Sequence, residues 1–314
     1  MSSGLIAIAI GAGVGLAIVG LVLFTTLTAR RAEASAPPIG RFIEVDGARL
    51  HYLDRGTGPA VVLVHGLGGN LRNFTGLVDK LATTCRVVTV DRPGSGYSTM
   101  VSGEHPALRA QAAIIARFLH ELGLDRPLLV GHSLGGALAL ALALDHPHSV
   151  RALALISTLS HVEDAPPAAF KSLEIRSPAL RWFIAWTLMA PLGKLAHEAT
   201  LKAVFAPDSV PKNFDVDSGG TLGLRPDSFI AASKDMVTVP DELASMMPRY
   251  PSLATPVHVI FGRQDPILGY RAHGERLIAA LPNATLHVIE GGHMIPVTAP
   301  DQIANWIRQA AERA

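Results

Sequence analysis

The strongest constraint on this chain is an alternation. From Ile39 onward, short apolar runs rich in Val, Ile and Leu are separated by longer stretches with helical periodicity. The runs are Ala60–Val64, Val87–Val90, Leu128–Val130, Ala152–Ile156, Val257–Phe261 and Thr285–Ile289. Each is too short for a helix and too uniformly apolar for a sheet with one wet face, so it suits a strand buried on both sides. Helical patterns lie between them, over Leu71–Ala82, Pro106–Leu122, Gly135–His146, Arg271–Leu281 and Pro300–Ala314. The alternation predicts a mostly parallel sheet covered by helices, an α/β fold. Arg41–Val45 and Leu50–Asp54 flank Asp46-Gly47, a favoured two-residue turn, and predict an antiparallel opening hairpin.

Two stretches stand outside the pattern. Between 160 and 251 the chain is Pro-rich and mostly helical in pattern, with Phe170, Leu180, Trp182, Phe183, Trp186 and Leu188 as apolar side chains. A segment of that length is not a structureless loop, and it predicts a helical cap or lid inserted between core residues 40–159 and 252–314. At the other end, Leu5 to Phe24 is almost wholly apolar or small, and no charged side chain precedes Arg30. About 20 such residues, rising 1.5 Å each, match a hydrocarbon layer of ~30 Å. Residues 1–29 therefore predict a single-pass anchor, taken as one in a bacterial inner membrane, with 30–39 as a linker. A cleaved signal peptide is the rival, but Met1–Gly4 lacks the basic residues such a peptide carries. Arg30-Arg31 favours a cytoplasmic carboxyl side. Gly11 and Gly15 form a small-xxx-small pair suited to packing two such helices, although the oligomeric state is left open.

Composition removes several classes of function. A formal net charge of +1, with no Lys/Arg-rich stripe, argues against nucleic acid as a partner. One cysteine, Cys85, excludes an intrachain disulfide and a Cys-rich zinc site, and its place before an apolar run makes it a core residue. His146 and His148 lack the spacing and carboxylate partners of a metal site.

The chemistry is concentrated in Gly131-His132-Ser133-Leu134-Gly135-Gly136, directly after the run Leu128–Val130 and opening a helical pattern. Glycines around a serine on a strand-to-helix turn permit a strained backbone that holds the hydroxyl clear of the sheet edge. Serine at its ordinary pKa is a poor nucleophile and requires a base held by an acid. His293, after the flexible Gly291-Gly292, is the candidate base, and Asp265, after Val257–Phe261, is the candidate acid. Asp164 is the substitute acid, whereas Glu163, Asp215 and Asp217 read as solvated charges. Two backbone donors are expected to hold an oxyanion. One is the Leu134 N–H; the other is the Leu67 N–H, in His65-Gly66-Leu67-Gly68-Gly69, where glycines let the main chain approach a substrate. His65 is expected to hold this loop by hydrogen bonds. Asp91–Ser98 reads as a rigid structural loop bordering the pocket, and His65, Gly66, His132, Trp182, Phe183 and Trp186 are candidates for lining the pocket or its lid.

From about Arg41 onward these motifs together resemble the α/β-hydrolase superfamily, in the lidded branch of carboxylesterases, monoacylglycerol lipases and C–C bond hydrolases. The resemblance implies a Ser133–His293–Asp265 triad and neither metal nor organic cofactor. The branch's dehalogenases and epoxide hydrolases carry aspartate at the position of Ser133, which disfavours those two chemistries. The expected activity is hydrolysis of a small hydrophobic ester through an acyl-enzyme. The alternatives are C–C bond hydrolysis of a ring-cleavage product, amide hydrolysis or perhydrolysis and, from another class, a small-molecule receptor on the same fold.

Overall fold

The computed structural model describes residues 3–313. Among them, nine strands form one sheet: β1 (Arg41–Val45), β2 (Ala48–Arg55), β3 (Ala60–Val64), β4 (Arg86–Val90), β5 (Thr99–Met100), β6 (Leu128–His132), β7 (Ala152–Ile156), β8 (Val257–Gly262) and β9 (Ala284–Ile289). The order is β1-β2-β4-β3-β6-β7-β8-β9, with the two-residue β5 pairing β2. β1 and β2 are antiparallel across Asp46-Gly47, whose φ angles of 45° and 74° are those of a type I′ hairpin turn. From β3 and β4 to β9 every pairing is parallel.

Two apolar cores lie on the two faces of this sheet. One gathers α3 (Leu108–Glu121) and α4 (Leu134–Asp145) with side chains such as Val62, Leu129 and Val259. The other gathers α2 (Thr75–Leu81) and α11 (Pro300–Glu312) with Val61, Val130, Ile260 and the buried Cys85. Ten consecutive residues of α4, Leu134 to Ala143, are buried, because a helix apolar all round has no face for water. Expected double-sided burial fails in β9, which is half-exposed at alternate residues because it closes the sheet edge. The helix expected over Leu71–Ala82 divides into a 3₁₀ turn, Leu71–Phe74, capped by Asn70, and then α2. The helix expected over Arg271–Leu281 begins as a π-turn, Arg271–Glu275, before α9 (Arg276–Ala280). A short α10 (Ile295–Thr298) precedes α11.

Between β7 and β8 the chain leaves the sheet for a helical insertion of α5 (Pro178–Trp186), α6 (Met189–Phe205), α7 (Phe214–Asp217) and α8 (Pro226–Met246), with 3₁₀ turns at Ala168–Leu173, Gly220–Leu224 and Met247–Ser252.

The amino-terminal helix α1 runs from Ser3 to Ser35, so the expected linker over 30–39 is only partly a linker. Ala29–Ala36 is rich in a strong helix former, and Pro37-Pro38 supplies the stop. Along this half of α1, Thr25, Thr28 and Ala32 are buried, as is Ala36 just past its end, and the helix packs on α5, α6 and the Gly220–Leu224 turn. Polar contacts fasten the same end: Glu33 meets Arg225 at 3.0 Å, and the Tyr97 hydroxyl donates to the Ala36 carbonyl at 2.8 Å. The preceding part of α1 is bare. Its most apolar window has mean hydropathy 2.6, and none of that window is buried.

Candidate active site

The centre of the site is the junction of β6 and α4. Ser133 sits there with φ 54° and ψ −119°, a left-handed backbone that a residue with a Cβ adopts only when its surroundings impose it. They do. Its N–H donates to the Ile156 carbonyl (3.0 Å), and its carbonyl accepts from Gly136 (2.9 Å) and Leu159 (3.1 Å). The flanking glycines are steric requirements: a Cβ on Gly131 would stand 2.4 Å from the Gly135 carbonyl oxygen, and one on Gly135 would stand 2.2 Å from that of Val64.

The loop after β3 closes against this turn. A Cβ on Gly66 would lie 2.9 Å from the Ser133 Cβ, so the main chain of His65–Gly69 passes directly beside the serine. His65 is fully buried and spans the loop. Nδ1 donates to the Gly66 carbonyl at 2.9 Å, and Nε2 accepts the Arg92 N–H at 3.0 Å. Burial, aided by the Arg92 charge, lowers its pKa to about 4, so the imidazole serves as a neutral brace. Leu134 opens α4, where the first N–H groups have no partner inside the helix. Leu67, Ser133 and Leu134 share one cavity of about 430 Å³.

His293 follows β9 and Gly291-Gly292. Its Nδ1 lies 2.8 Å from Asp265 Oδ2, and both side chains are buried. Asp265 Oδ1 is held by the N–H groups of Ile267 (2.8 Å) and Leu268 (2.9 Å), which fixes the carboxylate in the loop after β8. A carboxylate on Nδ1 selects the tautomer with a proton there and leaves Nε2 as the basic nitrogen. His132 packs against His293: the two rings are 4.9 Å apart, and His132 Nε2 donates to the His293 carbonyl at 3.1 Å. Burial, with the His293 ring next to it, lowers the His132 pKa to about 3. Among the described residues no hydrogen bond joins Ser133 Oγ to the His293 ring.

Several expectations are corrected. None of the pocket candidates His65, Gly66, His132, Trp182, Phe183 and Trp186 lines the cavity, and Trp182 and Phe183 are 60% and 41% exposed. Its apolar wall comes instead from Phe170, Val162, Val239, Leu243, Ile267 and Leu268. Glu163 and Asp215 are not free solvated charges: Glu163 meets His273 at 3.1 Å and Asp215 meets His197 at 2.7 Å. Asp164 lines the cavity, but the carboxylate on the His293 ring is that of Asp265. The Asp91–Ser98 loop does not line the cavity; Asp91 instead accepts from Leu71 N, Tyr97 N and the His51 ring.

A buried charged cluster escapes motif reading. Arg92, fully buried, donates to Asp235 (3.0 Å), to the Gln111 side-chain oxygen (2.7 Å) and to the Gly66 carbonyl (3.3 Å). Asp235, in α8, also takes His105 Nε2 at 2.8 Å and Gln111 Nε2 at 2.9 Å. Burial pushes the Asp235 carboxyl upward, but the charges and hydrogen bonds of Arg92 and His105 prevail and hold it at about 2. The cluster joins the insertion to the loop beside Ser133. No local signal marks it: Asp235 stands beside Lys234 in Ala231–Val239, a stretch that also holds Ser233 and Thr238.

The model of the alpha/beta hydrolase fold family matches residues 59–215, half the chain. A 2-hydroxy-6-oxononadienedioate/2-hydroxy-6-oxononatrienedioate hydrolase from Burkholderia vietnamiensis is 32% identical over 251 residues, spanning 76% of this chain and 82% of its own. A Thermogutta terrifontis esterase superposes with a TM-score of 0.72 at 22% identity, covering 87% of this chain and 99% of that one. A bacterial membrane phospholipase A superposes with a TM-score of 0.67 at 22% identity and covers both chains completely. At such identities the two structures speak for the fold alone. With the sheet order, the helical insertion and the turn at Ser133 all in place, the sequence matches carry one conclusion: this chain belongs to the α/β-hydrolase family.

Proposed function

We propose that the chain is a serine hydrolase that cleaves a hydrophobic carboxylic ester from an N-terminal membrane anchor. The observation that carries this reading is the strained Ser133 turn, which lines a cavity with apolar and charged walls, together with a buried Asp265–His293 pair whose His293 is held by His132, the neighbour of Ser133. In the proposed reaction Ser133 Oγ attacks the carbonyl carbon while His293 Nε2 takes its proton. Leu67 and Leu134 N–H groups hold the oxyanion. The ester C–O bond breaks, His293 returns the proton to the departing alcohol, and the acyl group remains on Ser133. Water, deprotonated by His293, then attacks the acyl carbon and releases the acid and the free serine.

Two features favour an anchor over a cleaved leader. The helix continues unbroken to Ser35, and its second half packs against the insertion with Thr25, Thr28 and Ala32 buried. Cleavage after residue 36 would strip away a packed element.

The experiment is covalent labelling by a fluorophosphonate together with a substrate panel. One label per chain, absent in Ser133→Ala, with turnover of medium-chain p-nitrophenyl esters, is the expected result. A second reading has its own support, because the Burkholderia relative is a 2-hydroxy-6-oxononadienedioate/2-hydroxy-6-oxononatrienedioate hydrolase. Turnover of a vinylogous 1,5-diketone acid, with every ester inert, would replace ester hydrolysis by C–C bond hydrolysis using the same three side chains.

A further inference from the structure

The exposed aromatic residues of the insertion have no part in the cavity, and their position gives them another use. Leu180, Trp182 and Phe183 of α5, Leu188 between the helices, and Leu192 and Leu195 of α6 are all exposed, Trp182 to 60% and Leu195 to 82%. Leu188, Leu192 and Leu195 are spaced i, i+4, i+7 and therefore share one helix face. So dense a group of large apolar side chains is foreign to a face that meets only water.

Its place on the molecule identifies what it meets. α5 and α6 are among the elements on which α1 packs. The Lys194 ammonium lies 5.7 Å from the ring of Phe24, the last residue of the apolar span, so this part of α6 stands level with the point where α1 leaves the insertion. Beyond it Val14, Leu16 and Val19 are exposed. The cations near this level, Lys194 on α6 and Arg30 and Arg31 on α1, are also exposed. Apolar side chains with tryptophan, bordered by lysine and arginine, match the chemistry of a bilayer interface, where rings and aliphatic groups enter the acyl boundary and cations meet phosphate.

We propose that the exposed face of α5 and α6 is a membrane-seating surface, with a phospholipid bilayer as its partner. The proposal rests on the reading of α1 as an anchor. With α1 inserted, Trp182, Phe183, Leu192 and Leu195 enter the interfacial layer of the leaflet from which α1 emerges. The segment that walls the cavity between Val162 and Arg176 leads directly into α5, so seating couples the cavity wall to the lipid.

The three tryptophans make the test direct. The full chain, carrying W186F and W306F so that Trp182 is the sole emitter, is reconstituted into phosphatidylcholine–phosphatidylglycerol vesicles. Acyl chains are brominated either near the headgroup or near the terminal methyl. A matched variant keeps only Trp306, which lies on α11. Flotation with the vesicles after an alkaline carbonate wash reports the anchor separately. The expected result is flotation of both variants, loss of about half the Trp182 emission to the shallow bromines, and little quenching of Trp306. Flotation with an unquenched Trp182 overturns the seating surface and leaves the anchor intact. Failure to float overturns both readings. Trp182 shielded only in a concentration-dependent dimer assigns the face to a second copy and overturns the lipid assignment. In a second arm, Leu192→Asp with Leu195→Asp should keep flotation and turnover of a water-soluble ester while lowering turnover of a vesicle-borne ester several-fold. Unchanged turnover of the vesicle-borne ester would overturn the coupling of seating to substrate.

Discussion

Asp235→Asn offers a sharp test of how the insertion is tied to the core. The substitution keeps the size of the side chain and removes one charge. Arg92 then stays ionised, because guanidinium does not deprotonate in proteins, and it is fully buried. Its remaining partners are neutral, the Gln111 oxygen at 2.7 Å and the Gly66 carbonyl at 3.3 Å, and its Nε already has no partner among the described residues. Breaking a buried ion pair from one side costs about 3–5 kcal/mol. At about 2 °C per kcal/mol for a domain of this size, Tm should fall by roughly 6–10 °C. Activity should suffer too, because the same Arg92 guanidinium donates to the Gly66 carbonyl beside the serine. A loss of about tenfold in kcat corresponds to 1.4 kcal/mol of misplaced oxyanion donor. Thermal unfolding by circular dichroism and single-substrate kinetics on the same preparations measure both. In a double-mutant cycle with Arg92→Met and Asp235→Leu, the double variant should lose less than the sum of the two singles by about 2 kcal/mol or more. A Tm within a degree or two of the parent for Asp235→Asn, or additive losses in the cycle, would refute the account of this cluster as a coupled, desolvated pair.

Other predictions follow from the site. Ser133→Ala and His293→Ala should each reduce turnover by several orders of magnitude with the circular dichroism spectrum unchanged, and Asp265→Asn should lower kcat by about 10⁴ by favouring the wrong imidazole tautomer. Near-normal kcat in the Asp265 variant would remove it from the acid role. His65 and His132, held at about 4 and about 3 by burial, and His273, lowered to about 4 for the same reason, bind protons in the unfolded chain before the folded one. Stability should therefore rise with pH between about 4 and 6.5, and unfolding near pH 5 should take up protons, measurable from the pH dependence of the urea midpoint. Deleting residues 1–20 should leave the fold's stability unchanged, whereas deleting 1–36 should lower Tm, because only the second deletion removes the packed Thr25, Thr28, Ala32 and Ala36. Equal Tm values would show that the docked half of α1 adds nothing.

The sheet was legible because its strands announce themselves. Runs such as Ala60–Val64 and Ala152–Ile156 are buried on both faces, and a doubly buried strand has no polar residue to blur its ends. The Ser133 turn was legible for a related reason: a left-handed serine packed between two main chains leaves glycine as the only neighbour that fits, so the geometry marks the sequence. The insertion was legible only as helical. Which aromatic side chains face a cavity and which face outward depends on how short helices cross, and the spacing of Trp182 and Trp186 is the same in either case. Arg92 and Asp235 are 143 residues apart, and nothing local to either names the other. The extent of α1 was misjudged because the Arg30-Arg31 pair ends an apolar run without ending a helix.

β7 and β8 remain hydrogen-bonded neighbours, Leu153 beside Val257 and Ile156 beside Ile260, although residues 157–256 intervene. The sheet closes over that gap as if it were a short crossover, since the entropy of joining two ends grows only with the logarithm of the length between them. The insertion is thus a side branch whose size the sheet never senses. It contributes much of the cavity wall and none of the three side chains proposed for the chemistry. Replacement of its helices by others of different length would recast what enters the cavity while Ser133, Asp265 and His293 keep their places.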